Sequence, residues 1–205
     1  MNDVSIPEPP SGDVAWASVN TPLTVEELNE FCRDVERMFR INPMLEFSQW
    51  ESTGENQFYF SAKNISQETP FDFAVDLTAS KLDDGYRIDY DQGIKSSTTF
   101  KIEPAPQGSK LTITDSYDRL PPELREQHIH EVDRSIVIWA QEVQKLLIIW
   151  KRWSRFTWWR WYMRRVWQPM KPAARRITYM LLWISAIEVA LISLGAAIFF
   201  VEYAD

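Results

Sequence analysis

The 25 residues ITYMLLWISAIEVALISLGAAIFFV, from Ile177 to Val201, carry one acidic side chain, Glu188, and no basic one. As a helix rising 1.5 Å per residue the run reaches about 37 Å, enough to cross a hydrocarbon core of ~30 Å with some tilt. Its thirteen Ile, Leu, Val and Phe residues each favour insertion by roughly 0.3 to 0.6 kcal/mol, against a cost of roughly 3 kcal/mol for one central acid. The run is expected to span a bilayer rather than to serve as the core helix of a soluble protein, because no later chain follows to bury it.

The net charge of −7 over 205 residues conceals a division. Residues 1–150 hold 26 of the 29 acids and 13 of the 22 bases, residues 151–176 hold the other nine bases and no acid, and the remainder holds three acids and no base. The nine bases precede the span, so the positive-inside rule predicts a single-pass protein with its N-terminal part in the cytoplasm. In a bacterium that is the inner membrane, with residues 202–205 as a short tail outside. Cys32 is the one cysteine, so no internal disulfide forms, and no apolar stretch near Met1 resembles a signal peptide.

Trp150 to Met170, WKRWSRFTWWRWYMRRVWQPM, carries six of the ten tryptophans among arginines. On a helical wheel its bases fall on nearly every side, unlike a simple amphipathic surface helix. Two readings fit: a collar at headgroup depth, or a helix wedged between membrane and partner protein with Arg stacked on Trp. The membrane-interface candidates are Trp153, Arg155, Trp158, Trp159, Arg160, Trp161, Arg164, Arg165 and Trp167. Basic and aromatic residues together also suit single-stranded nucleic acid, but a span seven residues after Met170 points to a membrane and not to nucleic acid. Within the span, Ala186, Ala190, Ser193 and Ala197 recur at helical spacing on one face, while Glu188 and Gly195 lie on another. Two distinct surfaces suggest packing against helices of a membrane-protein partner. For Glu188 itself two roles stand open, an acid facing protein or a wet cavity and a protonated acid tolerated in lipid.

Residues 1–12 are acidic and Pro-rich and are expected to form a disordered arm. Thr24 with Glu27 reads as a capping box, with Leu23 and Leu28 as its staple, and predicts one helix ending before Asn42-Pro43. Its stripe of Leu28, Phe31, Cys32, Val35 and Phe39 makes Cys32 a buried structural thiol rather than a nucleophile. From Leu45 to Tyr117 the period becomes two, and turn signals divide the segment into strands near 45–52, 57–63, 71–79, 86–92, 97–104 and 110–117. Phe71, Phe73, Val75 and Leu77 fall opposite Asp72 and Asp76; Tyr86, Ile88 and Tyr90 fall opposite Arg87, Asp89 and Asp91. The short connections predict an antiparallel meander with one apolar face. An apolar stripe of Ile129, Val132, Ile136, Trp139, Ala140, Val143, Leu147 and Trp150 predicts a long helix to cover that face. With a short strand near 15–18, the order is β-α-β6-α, an α+β domain over residues 13–150.

This order, together with the run SSTTFKIEPAPQGSKLTITDSY before the last helix, resembles the helix-grip fold of the START-like (SRPBCC) superfamily of polyketide cyclases, lipid-transfer domains and small-ligand receptors. The resemblance implies an apolar cavity between sheet and final helix, open to a hydrophobic small molecule or lipid. The candidate cavity residues are Phe71, Phe73, Val75, Tyr86, Tyr90, Phe100, Ile113, Asp115, Ile136 and Trp139. The inward aromatic rings are large enough to fill much of that space themselves. The basic collar and the span are additions to the common pattern.

Catalytic signals are sparse. His128 and His130 are separated by about 200° on a helix and cannot share a metal there. No phosphate loop, activated nucleophile, metal-ligand spacing or cofactor motif is present. Asp115 shares parity with Leu111, Ile113 and Tyr117, which predicts either an inward acid that orients a polar ligand group or acts as a base with shifted pKa, or a strand-end acid paired with Arg119 or Arg125 in solvent. Three functions follow: a membrane-anchored module that binds or presents an apolar ligand without catalysis, an accessory subunit of a membrane complex, and a cyclase-like enzyme acting on a membrane-associated substrate.

Overall fold

The computed structural model describes residues 13–119 and 135–203. Those up to Gln168 form one compact unit and those from Pro169 a second. The arm at 1–12, the histidines 128 and 130, Ile129, Val132 and Arg125 lie outside the described residues.

The first unit begins with β1 (Val14–Thr21), which leads to the capping box at the start of α1 (Val25–Cys32). Thr24 Oγ1 accepts from the Glu27 amide at 3.2 Å, and the Glu27 carboxylate accepts from the Thr24 amide at 2.9 Å. The single helix expected up to Asn42 is in fact two. α1 stops at Cys32, and Asp34 caps a second helix, α2 (Val35–Ile41), by accepting from the Arg37 amide at 3.0 Å. An aspartate side chain competes for nearby amide protons, so it ends one helix and starts the next. The apolar stripe survives the break: Leu28, Phe31, Cys32, Val35 and Phe39 are all buried. Thr24→Ala removes one half of the capping box and should lower the stability of this unit by about 1 kcal/mol, read from its urea midpoint.

Six strands follow: β2 (Leu45–Gly54), β3 (Gln57–Asn64), β4 (Phe71–Leu82), β5 (Gly85–Tyr90), β6 (Ser97–Ala105) and β7 (Gly108–Ser116). They form an antiparallel meander, and β1 closes the far side by pairing with β7, giving the order β1-β7-β6-β5-β4-β3-β2. Alternation sets the faces as expected. Val75 and Leu77 are buried while Asp72 and Asp76 are exposed, and Leu111, Ile113 and Asp115 are buried along β7. The β6–β7 turn depends on Gly108, whose φ is +98° and where a Cβ would lie 2.2 Å from the Thr21 carbonyl oxygen. Only glycine accepts both conditions.

The covering helix, α3 (Ile136–Trp153), buries Ile136, Trp139, Ala140, Val143, Leu146 and Leu147 and packs chiefly on β1 and β7. The architecture is thus the α+β helix grip, a seven-stranded antiparallel sheet around a long helix. Beyond α3 the chain does not continue as one helix. Ser154 caps α3, a short helix α4 (Thr157–Tyr162) follows, and a π-helical turn occupies Met163–Trp167. Trp159 and Met163 are buried, with the Trp159 ring 5.3 Å from that of Trp150 in an edge contact.

The second unit is dominated by α5 (Pro172–Tyr203), 32 residues that extend about 48 Å and are long and apolar enough to cross a membrane. Every side chain from Tyr179 to Tyr203 is exposed.

Candidate functional site

A cavity of about 490 Å³ lies beneath the β3–β4 half of the sheet. α3 packs chiefly on β1 and β7, α1 on β5, β6 and β7, and α2 on β2 and on α3, which leaves the space under β3 and β4 to side chains. Phe39 of α2 is the central one, with ring contacts of 5.5 to 6.5 Å to Phe60, Tyr90, Phe100 and Trp139. Trp139 is fixed from the other side by its indole, which donates to the Met38 carbonyl at 2.9 Å. The void sits within the size range of small-molecule sites.

Phe71, Phe73, Val75, Tyr90 and Trp139 line this cavity, as do Phe39, Leu45, Phe60 and Ile94. Tyr86, Phe100, Ile113, Asp115 and Ile136 do not. Phe100, Ile113 and Ile136 are buried in the solid part of the core. Tyr86 is half-buried, which raises its phenol pKa. The aromatic rings therefore narrow the space without filling it. Its polar members are Asn42, Asn64, Gln92 and Lys95, and the exposed part of the lining is Gln92 and Gly93. Asn42 and Asn64 are turned to the protein: Asn42 accepts from the Met44 amide and donates to Ser135, and Asn64 accepts from the Ser66 amide.

Asp115 stands one shell behind the cavity and is fully buried. It accepts from Lys95 Nζ at 2.7 Å and from Thr98 Oγ1 at 2.5 Å, and Thr98 in turn shares a 2.9 Å hydrogen bond with the Tyr90 hydroxyl. Arg119 donates instead to the carbonyls of Tyr90 and Gly93. A carboxylate held by two such donors is compensated for its burial. Its consequence at the cavity wall is to fix two groups there, the Lys95 ammonium and the Tyr90 ring. Spacing could not reveal Lys95, because it lies in the connection between β5 and β6 rather than in the alternating part of either strand.

Cys32 is buried, and desolvation pushes its thiol from an ordinary 9.0 up to about 12, with the Arg37 charge acting weakly the other way. Maleimide at pH 8 should therefore leave the folded chain unlabelled and react only after denaturation. The raised value also has a sign for stability. The folded state keeps a proton that the unfolded chain releases near pH 9, so stability is intact below pH 9 and falls as pH climbs toward 12. Tyr86 acts in the same direction, so Cys32→Ala should shallow that fall without abolishing it, as followed by urea titrations across the range.

Among the described residues no group of three His, Cys, Asp or Glu side chains could hold a metal ion. The membrane-interface candidates separate by exposure. Trp153, Arg155, Trp158, Arg160, Trp161, Arg164 and Arg165 are exposed. Trp167 is half-buried and Trp159 is buried. In α5, Glu188, Ala186, Ala190 and Ala197 are exposed, and Ser193 Oγ donates to the Val189 carbonyl at 2.8 Å.

Compared with protein-family models and with curated proteins, the sequence matches none. Solved structures do match. A point mutant of norcoclaurine synthase from Thalictrum flavum, bound to a transition-state analogue, aligns with a TM-score of 0.53 at 12% identity over 68% of this chain and 96% of its own. TTHA0849 of Thermus thermophilus aligns at 0.48 and 12% identity over 65% and 96% of the two chains. A STAR-related lipid transfer protein from Xanthomonas axonopodis aligns at 0.42 and 14% identity over 64% and 84%. The fold, a seven-stranded antiparallel sheet around a long helix, is thus similar to that of the norcoclaurine synthase structure.

Proposed function

We propose that this protein is a membrane-anchored START-like module that holds an apolar small molecule or lipid in the cavity under β3 and β4 and performs no catalysis on it. The observation that carries the reading is a cavity of about 490 Å³ left open among ten apolar and aromatic side chains and edged by Lys95. A core selected only for packing closes such a space, because empty volume costs stability in proportion to its size. The Lys95 ammonium, held on Asp115, favours a ligand with an acceptor oxygen at one end, such as a fatty-acid carboxylate. α5 is the anchor, spanning once, and the bases at 151–176 keep the ligand-binding unit on the cytoplasmic side. The Trp- and Arg-rich stretch lies at headgroup level, where the exposed Trp158 and Trp161 suit an aromatic belt.

A diazirine-bearing fatty acid supplied to membranes that contain the full chain should crosslink to peptides covering 71–75 and 90–95. Crosslinks confined to 177–203 would contradict cavity binding. A second reading, an accessory subunit, is favoured by the exposure of both Glu188 and the Ala186, Ala190, Ser193 and Ala197 face. It predicts a stoichiometric membrane partner that crosslinks to those positions.

A further inference from the structure

A polar groove of about 710 Å³ is bounded by α1, α2, the end of α3, α4 and the π-helical turn, all within the first unit. It is unrelated to the apolar cavity, and its lining holds four acids and four bases, of which two acids are already paired by bases from outside the lining. Glu27 accepts from Lys151 Nζ at 2.6 and 2.8 Å, Glu36 accepts from Arg40 Nε at 2.7 Å, and Asp34 is occupied in capping α2. Of the lining acids only Glu30 has no ion pair among the described residues, whereas Arg33, Arg160 and Arg164 all lack one there. With Lys151 and Arg40 included, six bases face four acids, leaving a surplus of two positive charges.

Arg37 makes the surplus a recognition problem rather than a surface property. It is 7% exposed, its guanidinium sits 3.8 Å from the Phe31 ring centroid and 4.8 Å from that of Trp150, and one terminal nitrogen donates to the Phe31 carbonyl at 2.5 Å. Among the described residues its Nε is buried with no hydrogen-bond partner, and the nearest carboxylate oxygen, on Asp34, is 3.8 Å away. That distance is beyond hydrogen-bond reach. Burial lowers the Arg37 pKa most; Asp34 opposes this, and the charge of Arg164 lowers it further. A buried donor left unmade is a cost that a bound anion would recover.

We propose that this groove is an anion site that takes a phosphate group, with Arg37, Arg160 and Arg164 as its cationic wall. Guanidinium forks match phosphate oxygens in pairs, and two surplus charges suit a phosphate ester. The volume exceeds that of a bare ion and admits a glycerol phosphate. The phosphate can come from a lipid headgroup or from a soluble ester. Eight residues of chain intervene between Gln168, on the groove, and Ile177, where the apolar run begins. The lipid source rests on the membrane reading above, and the soluble source does not.

Two arms separate these sources. The full chain in neutral detergent is titrated by calorimetry with inorganic phosphate and with glycerol 1-phosphate at constant ionic strength. The full chain in nanodiscs of phosphatidylcholine, with and without phosphatidylglycerol, is ejected into a mass spectrometer and its retained lipids are counted. Binding is expected in at least one arm, with R160Q/R164Q weakening it at least tenfold and R175Q/R176Q, bases outside the groove, changing it less than twofold. Retention of phosphatidylglycerol alone identifies a lipid headgroup, and binding of the free esters identifies a soluble one. Both substituted pairs are exposed or half-exposed, so an unchanged thermal midpoint is the check on folding. No binding in either arm overturns the proposal, as does equal loss in the two double variants, which would mark diffuse charge attraction. Failure of the chain to enter nanodiscs counts against the membrane reading, and the detergent arm then decides the groove by itself.

Discussion

Val75→Phe is expected to reduce the amount of small molecule recovered by organic extraction of the purified full chain at least tenfold, with the free energy of unfolding changed by no more than about 1 kcal/mol. Val75 is 1% exposed, points inward from β4 and lines the cavity. Enlarging a residue in a packed core costs about 1–3 kcal/mol because neighbours must leave their rotamers. Here the added ring enters open volume, so burial of its carbons offsets most of that strain. The contrast is Ile113→Phe. Ile113 is equally buried and on the same face of the sheet, but it lies in the solid part of the core. That substitution should cost the full 1–3 kcal/mol and leave the extracted ligand nearly unchanged. Equal ligand recovery from Val75→Phe and the native chain would show that the bound molecule is not in this cavity.

The second large effect concerns α5. Thirteen Ile, Leu, Val and Phe residues between Ile177 and Val201 favour insertion by roughly 4 to 8 kcal/mol in sum, and Glu188 near the centre removes roughly 3. What remains is a few kcal/mol. A lysine at the centre of a span costs roughly 2.5 to 3.5 kcal/mol, so I187K with L191K adds roughly 5 to 7 and reverses the balance. After alkaline carbonate extraction the native chain should stay with the membranes, and the double variant should leave them almost entirely. Glu188→Gln moves the balance the other way and should leave extraction unchanged. If it dissociates a co-purifying partner instead, the accessory-subunit reading gains the support that the cavity reading lacks.

Much of the fold was legible because its signals are periodic. The alternation of Phe71, Phe73, Val75 and Leu77 with Asp72 and Asp76 fixes which face of β4 is inside. Thr24 with Glu27 marks the start of α1 at the residue where the structure places it. The break at Asp34 carried a signal of its own, an aspartate three residues before Arg37. It was overridden by the continuous apolar stripe, which a two-residue kink does not disturb.

The cavity was legible only in part, for a physical reason. Parity tells which side of a sheet a residue faces, and Phe100, Ile113 and Val75 are alike in that respect. Whether a void lies in front of it depends on where α2 and α3 press, and no local pattern encodes that. Phe39 was visible as one member of a helical stripe, yet its place as the bridge between sheet and helix follows from tertiary packing. Lys95, Asn42 and Asn64 lie at strand ends and connections, where period-two reading stops. The Trp- and Arg-rich stretch is not one continuous helix, because Ser154 to Phe156 interrupts it. Once it is broken, Trp159 turns onto Trp150 while Trp158 and Trp161 stay exposed.

Native mass spectrometry of the full chain, extracted gently from its membrane and activated just enough to strip detergent, tests ligand binding most directly. The expected spectrum shows the chain carrying one small apolar molecule, and the same preparation of Val75→Phe shows the chain without it. A native chain that arrives free of any bound molecule, at its own mass and with no partner, would contradict the proposed function and its accessory-subunit alternative together.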